Sequence, residues 1–345
     1  MLDPDKTTTL LGAFLEREHP GSEVTVDSFE SILGGFSRLT ARFRARIDGA
    51  ERWMVMRGDP PPEQSTCSTD RRQEWNTMRA VHATATTPMP RPLYFDDDGT
   101  QLGTTAMVME LVEGEPLLRR AAASDDRGRD RLAEQMADLA AAVHSTDLSG
   151  LNHLAVPTDW DNYIDGCIQS WRDIEAAHPE SDPFIRYLAS WLDENRPPPA
   201  PLTLVHGDLQ STNVLVRDDG SFVALDWELT HIGDPREDLG WCRWNEVIQP
   251  PGLIDRDEDA FCRRYAESSG LGSDIVNPQS LAYFSVLSAI GACQVALPTV
   301  AAFAAGLNSA LVTGYVLGYI STFHQQFLEV TTAIESTRPV SEVRS

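Results

Sequence analysis

The sequence predicts an α+β chain of two unequal lobes, a small antiparallel β-sheet lobe followed by a larger, mainly helical one. Three observations predict it. Between residues 39 and 57 apolar and polar side chains alternate around an Asp-Gly pair, the pattern of a β-hairpin. After Gly114 the apolar spacing is almost wholly helical. One stretch, HGDLQSTNVLVRDDGSFVALDWE (206–228), breaks that run and reads as two short strands around a turn. On this reading residues 1–111 form the first lobe and residues 112–345 the second.

The elements follow in order. Residues 9–19 (TLLGAFLEREH) carry helical spacing. In the strand beyond them Leu39, Ala41, Phe43 and Ala45 share one face, and Thr40, Arg42, Arg44 and Arg46 the other. Asp48-Gly49 turns the chain, and Trp53, Val55 and Arg57 return on a second strand. Pro60, Pro61 and Pro62 end it, since proline cannot donate to a ladder. RRQEWNTMRAVHATA predicts a helix, and PRPLYFDDDGTQLGTTAMVMELVEG two more strands around Asp98-Gly99. The segment Met109-Glu110-Leu111-Val112 then crosses between lobes. RDRLAEQMADLAAAVHSTDL, NYIDGCIQSWRDIEAAHP and DPFIRYLASWLDENRPPPAP predict helices, and helices resume after the 206–228 hairpin. A cleft between two such lobes is where a ligand is expected.

Composition narrows the function classes. With 41% hydrophobic and 23% charged residues in 345, the chain reads as a soluble globular protein with a real core. The net charge is -24, and Lys6 is the only lysine. That balance argues against nucleic acid or an anionic membrane as partner. It permits a cationic substrate, but surface acid kept for solubility is the favoured explanation. Cys67, Cys167, Cys242, Cys262 and Cys293 are scattered and lack metal-ligand spacing, which predicts reduced thiols in a cytoplasmic protein. The start MLDPDKTTTL lacks the basic-then-apolar pattern of a signal peptide. Ile275 to Leu328 carries no Asp, Glu, Lys or Arg, but Gln294, Pro298, Asn308 and Thr313 interrupt every window long enough to span a bilayer. Buried helices, or a contact in a homodimer, are expected there; monomer and homodimer both remain open.

The chemistry concentrates in the second hairpin. NVLV predicts one strand, Asp219-Gly220 the turn and SFVALDW the returning strand. Asp208 and Asn213 therefore lie in the loop before the first strand, and Asp226 at the end of the second. A hairpin brings its open end together, so the three side chains can converge. Asp226 and Asn213 are hard oxygen donors of the kind Mg²⁺ prefers. Asp208 is left to accept a proton. Strand alternation places Glu228, two positions on, on the side of Asp226, where it could reach the metal through water. Asp, Asn five residues later and a second Asp eighteen from the first is the interval protein kinases use for catalytic base and two metal ligands. Ahead of them Gly34-Gly35-Phe36-Ser37 opens the first hairpin, as a turn or as a close backbone approach to phosphate.

These residues resemble the aminoglycoside phosphotransferases and their relatives, which share the protein kinase-like fold. HGDLQSTNVL matches that family's catalytic loop, and LDWE stands where protein kinases carry Asp-Phe-Gly. The resemblance runs from about Phe29 to Phe327. It is closest to a broad subgroup that includes hydroxyacyl-coenzyme A kinase-like members, through GGFSRLT, VMRGDPPP, WRDIE and DWELTHIGDPREDLGW. It implies transfer of the γ-phosphate of ATP to a hydroxyl of a small molecule, with Mg²⁺ as cofactor. Asp208 would be the base, and Asn213 and Asp226 the metal ligands with Glu228 behind them. Gly34, Gly35 and Ser37 would cover the triphosphate, and the backbone of Glu110 and Val112 would meet the adenine. His206 would order the catalytic loop and Asp238 anchor it.

Arg57 departs from the family, standing where a strand lysine is usual, with Glu74 as its helix partner. A forked guanidinium does not contact phosphate as an ammonium does, and this favours an alternative, a non-catalytic nucleotide-binding protein on the same fold. A second alternative, a metal-dependent phosphohydrolase, needs more ligands than His206 and the more distant His231 offer. The acceptor remains open among an aminoglycoside, a hydroxyacyl thioester and another hydroxylated metabolite. On its side the resemblance places residues 159–196 and 241–320, with Trp160, Tyr163, Trp171, Asp173, Trp241, Trp244 and Glu246.

Overall fold

The computed structural model describes residues 3–32, 39–59, 70–177, 183–289 and 310–336. Helix α1 (Pro4–Glu18) starts earlier than its apolar spacing suggests, because Asp3 caps it by accepting from the Lys6 N–H and Pro4 occupies its first turn. Then come β1 (Val24–Ser31), β2 (Leu39–Ile47), β3 (Ala50–Gly58), α2 (Arg71–Thr84), β4 (Pro92–Asp96) and β5 (Ala106–Glu110). The five strands form one antiparallel sheet in the order β1-β2-β3-β5-β4. Asp48 and Gly49 both take positive φ, 50° and 79°, the left-handed pair that a tight primed hairpin turn requires. As the alternation predicts, Ala41, Phe43 and Ala45 are buried. Phe43 and Ala45 pack with Met54, Met56 and Val108 against Leu11, Phe14 and Leu15 of α1. The opposite face carries ion pairs to the neighbouring strand β1, Arg42 to Glu30 and Arg44 to Asp27.

Strand β1 was not separable by periodicity. Its ladder slips between Asp27 and Glu30, with Ser28 at φ 52°, and such a bulge breaks the period of two.

The second lobe holds β6 (Glu115–Pro116), α3 (Leu117–Ala123), α4 (Asp126–His144), α5 (Trp160–Ala177), α6 (Pro183–Glu194) and β7 (Thr203–Val205). After these come β8 (Val214–Val216), β9 (Phe222–Ala224), β10 (His231–Gly233), α7 (Arg236–Ile248), α8 (Glu258–Ser269), α9 (Pro278–Ser288) and α10 (Ala310–Ser336). The predicted hairpin is β8–β9, pairing Val214 with Ala224 and joined to β6. The short β7 and β10 form a second, two-stranded sheet. One core joins α2 and β5 to α4, α7 and α8 beneath the hairpin. Another packs α5 and α6 on α9 and the end of α10 through Trp171, Trp191, Tyr283 and Phe327. The start of α7 is pinned by a fully buried Arg236–Asp234 pair, and Arg236 also donates to the carbonyls of Pro198 and Ile275. Among the described residues no helix is long and apolar enough to cross a membrane. Cys167, Cys242 and Cys262 are free thiols, while Cys67 and Cys293 lie outside the described residues.

Candidate active site

A cleft of about 870 Å³ opens between the lobes. Its walls are apolar: Val55 from β3, Met78 from α2, Met109 from β5, and Leu215 and Leu225 from the hairpin. Glu110, Leu111, Val112, Glu113 and Gly114 form its back edge. The N–H groups of Glu110 and Leu111 are taken by the carbonyls of Arg91 and Trp53, and the chain leaves the sheet beyond them. Arg57, Asn213 and Asp226 line the same cleft, so residues 169 positions apart in sequence share one cavity.

Arg57 sits at the end of β3 with its guanidinium almost fully covered. Its Nη1 donates to Glu74 Oε1 (3.0 Å) and its Nη2 to Asp226 Oδ1 (2.7 Å), and Glu228 Oε2 is 3.6 Å away. Burial works against the Arg57 charge, but Glu74, Asp226 and Glu228 outweigh it and hold the group above its ordinary value. Glu74, on α2, is 1% exposed. Burial pushes its carboxyl up, opposed first by Arg57 and then by Arg71. Arg71 is the partner that sequence reasoning missed: its Nη1 donates to Glu74 Oε2 and its Nη2 to Asp59 Oδ1 at 3.0 Å. The signal was present in RRQE, which sets Arg71 and Glu74 three apart on one helix face.

In the second lobe β7 delivers the chain to His206, Gly207 and Asp208. Gly207 has φ +83°, and a Cβ there would stand 2.4 Å from the Leu229 carbonyl oxygen, so only glycine fits. Asp238, fully buried in the first turn of α7, accepts from the His206 N–H (2.8 Å), the Gly207 N–H (2.9 Å) and His144 Nε2 (3.0 Å). Burial opposes its ionisation, but the hydrogen bond from His144 and the neighbouring donors hold its carboxyl below the usual value. His206 is buried against the Trp227 ring, which pushes its imidazole below the ordinary value. Its Nδ1 accepts from the Asp208 N–H at 3.3 Å.

Asp208 is the half-buried centre of this loop. Its Oδ2 accepts from Asn213 Nδ2 (2.6 Å), and its Oδ1 from Gln210 Nε2 (2.6 Å) and Trp241 Nε1 (2.7 Å). Burial pushes its carboxyl up to about 7 against those three bonds, and the charge of Asp226 adds to the rise. Asn213 Nδ2 also donates to the Asp208 carbonyl (3.0 Å), which turns the other end of the amide, its oxygen, away from Asp208.

One expectation needs correction. The returning strand ends at Ala224, not at Trp227: the Leu225 N–H bonds back to the Asn213 carbonyl, and Asp226 takes a left-handed φ of 64°. Strand alternation therefore does not place Glu228, which reaches Arg57 through the turn that follows. A non-glycine residue held at positive φ carries backbone strain, of a kind that clusters at functional sites.

The donor set suits a magnesium ion. Asn213 and Asp226 present amide and carboxylate oxygen to one cavity, with room beside them for phosphate oxygens and water. Among the described residues no group of three or more His, Cys, Asp or Glu is placed to hold a metal alone. Gly34, Gly35 and Ser37 lie outside the described residues. Of the acceptor-side aromatics, Trp160, Trp171 and Trp244 are buried in the second lobe. Glu246 caps a turn, accepting from the N–H groups of Leu253, Ile254 and Asp255. Tyr163 bonds Glu237 and His231, and only Trp241 touches Asp208.

The APH family model, described as a phosphotransferase enzyme family, matches residues 28–271. The chain is 29% identical over 199 residues to acyl-CoA dehydrogenase family member 10 of Mus musculus, a match covering 56% of this chain and 18% of that protein. It is 31% identical over 174 residues to acyl-CoA dehydrogenase family member 11 of Gallus gallus, covering 49% and 22%. The matched part thus spans about a fifth of these curated relatives. Among solved structures, a Ralstonia eutropha protein described as an aminoglycoside phosphotransferase superposes with TM-score 0.73 at 19% identity, covering 94% of this chain and 98% of that one. Macrolide 2′-phosphotransferase from Brachybacterium faecium gives 0.60 at 18%, covering 90% and 96%. A thermostable aminoglycoside phosphotransferase APH(4)-Ia, in ternary complex with AMP-PNP and hygromycin B, gives 0.60 at 15%, covering 92% and 98%. At these identities the structural likenesses establish the kinase-like fold, and the family match goes further: the chain belongs to the APH phosphotransferase enzyme family.

Proposed function

We propose that this protein transfers the γ-phosphate of ATP to a hydroxyl group of a small molecule. The observation that carries the reading is that Asn213 and Asp226 line the cleft together with Arg57 and residues 110–114, and that the amide of Asn213 reaches Asp208 beside it, at 2.6 Å. The apolar walls suit a purine, and the backbone at Glu110 and Val112 is its hydrogen-bonding edge. Asn213 and Asp226 would hold a magnesium ion, which when bound supplies charge neutralisation at the phosphates. Arg57, kept charged by three acids, adds a fixed positive charge at the same end. Glu228 backs that charge from the turn after Asp226. Asp208 orients the acceptor hydroxyl and takes its proton, while His206 and Asp238 hold its loop. Positioning and electrostatics provide most of the rate in such transfers.

Two observations bear on the acceptor. The named relatives are acyl-CoA dehydrogenase family members, which supports a hydroxyacyl thioester. Structural neighbours hold hygromycin B or kanamycin, which supports a polyhydroxylated amine. The test is Mg²⁺-dependent ATP consumption with hydroxyacyl-coenzyme A thioesters, aminoglycosides and simple alcohols, in wild type and Asp208→Asn. Transfer to one class, lost in Asp208→Asn with nucleotide binding retained, is the expected result. Nucleotide binding without transfer to any class would leave a binding protein on the kinase fold.

A further inference from the structure

Helix α7 meets the catalytic loop at more than its anchor. Asp238 holds the backbone of residues 206 and 207, and Trp241, three residues on and so on the same helix face, reaches the carboxylate of Asp208 itself. We propose that Trp241 is a positioning residue: together with Gln210 it closes Oδ1 of Asp208 and leaves Oδ2 as the oxygen that receives the acceptor's proton. This rests on Asp208 being the base.

The argument is one of lone pairs. Each carboxylate oxygen accepts about two hydrogen bonds. Oδ1 already accepts two, from Trp241 Nε1 at 2.7 Å and Gln210 Nε2 at 2.6 Å. Oδ2 accepts one, from Asn213 Nδ2 at 2.6 Å, so among the described residues a single accepting position remains, and it is on Oδ2. An indole N–H can only donate, so the polarity of the Trp241 bond does not depend on how any amide is oriented. Gln210 is oriented in turn by Gln249, at the end of α7, whose Nε2 donates to Gln210 Oε1 at 3.2 Å. The Trp241 ring is itself held, stacked on Trp244 with centroids 5.1 Å apart.

The consequence is a fixed direction of attack. The acceptor's O–H proton passes to Oδ2 as its oxygen bonds to the γ-phosphorus and the bond from phosphorus to the ADP oxygen breaks. Without Trp241 the carboxylate can turn about its Cβ–Cγ bond, and either oxygen can take the hydroxyl. Loss of such alignment costs about 10-fold to 100-fold in rate.

The experiment compares wild type, Trp241→Phe, Gln210→Leu and Asp208→Asn, with MgATP and water as acceptor, read as inorganic phosphate release. Phenylalanine preserves the stack on Trp244 and removes only the donor. The expected result is a fall in kcat of about ten-fold or more in Trp241→Phe, with the KM for ATP and the melting temperature unchanged. Gln210→Leu should shift kcat in the same direction. If kcat in Trp241→Phe equals wild type while Asp208→Asn is inactive, the positioning role is overturned and the base assignment stands. If Asp208→Asn keeps wild-type turnover, the base assignment falls and the proposal with it. A fall in kcat matched by a rise in the KM for ATP marks a general structural defect and also overturns it.

Discussion

Replacing Asp238 with alanine should cost about 3–5 kcal/mol of stability, the range for breaking a buried charged pair by removing one partner. The magnitude follows from what would be left behind. Asp238 is fully buried and accepts three donors: the N–H groups of His206 and Gly207 and the Nε2 of His144. Each loses a charge-assisted bond with no water at hand, and an unsatisfied buried donor costs about 1–3 kcal/mol. His144 stays partly satisfied through Tyr265, which keeps the sum within that range rather than above it. Asparagine should fall between alanine and wild type, since its oxygen serves some of the donors while its NH₂ confronts another. Urea unfolding followed by tryptophan fluorescence measures this as a lower midpoint at unchanged slope. A loss below about 1 kcal/mol in the alanine variant would refute the claim that this carboxylate holds the loop at residues 206–208.

Gly207→Ala should lower both stability and kcat, because its Cβ would collide with the Leu229 carbonyl oxygen at 2.4 Å in a left-handed conformation; thermal melts and turnover check it together. Arg71→Met should destabilise by about 3–5 kcal/mol, since it strips Glu74 and Asp59 of a buried partner. Arg72→Ala, whose pair with Asp97 is exposed, should cost less than about 1 kcal/mol, and urea midpoints of the two variants separate the cases. The pH dependence of Asp238 has a definite sign. Its folded-state value is depressed, so its contribution is full above the ordinary aspartate range and is lost as pH falls through the folded value. The stability gap between wild type and Asp238→Asn should therefore stay level from about pH 5 to 7 and shrink below about pH 4, as measured by urea unfolding across that range.

What the sequence made legible was local. The hairpin at Asp48-Gly49, the helices with apolar periodicity and the loop HGDLQSTN each carry their own signal in turn residues, periodicity or spacing. Arg57 with Glu74 was found because a known motif relates them, and the structure joins them at 3.0 Å. The misses are of two kinds. Bulges and special backbone conformations, at Ser28 in β1 and at Asp226 beyond β9, interrupt the period that strand reading depends on. Partners chosen by tertiary packing, such as Trp241 on Asp208 and His144 on Asp238, are 33 and 94 residues away and leave no trace in local pattern. Three-residue strands such as β7 and β10 are too short to show a period at all.

The most direct test of the account is the position of a divalent cation in crystals grown with Mn²⁺ and a non-hydrolysable ATP analogue. The account predicts an anomalous peak bonded to Asn213 Oδ1 and Asp226, with the analogue's phosphates beside it and Asp208 facing the acceptor side unligated. A peak elsewhere, or a nucleotide bound outside the cleft lined by Val55, Met109 and Leu215, would contradict it.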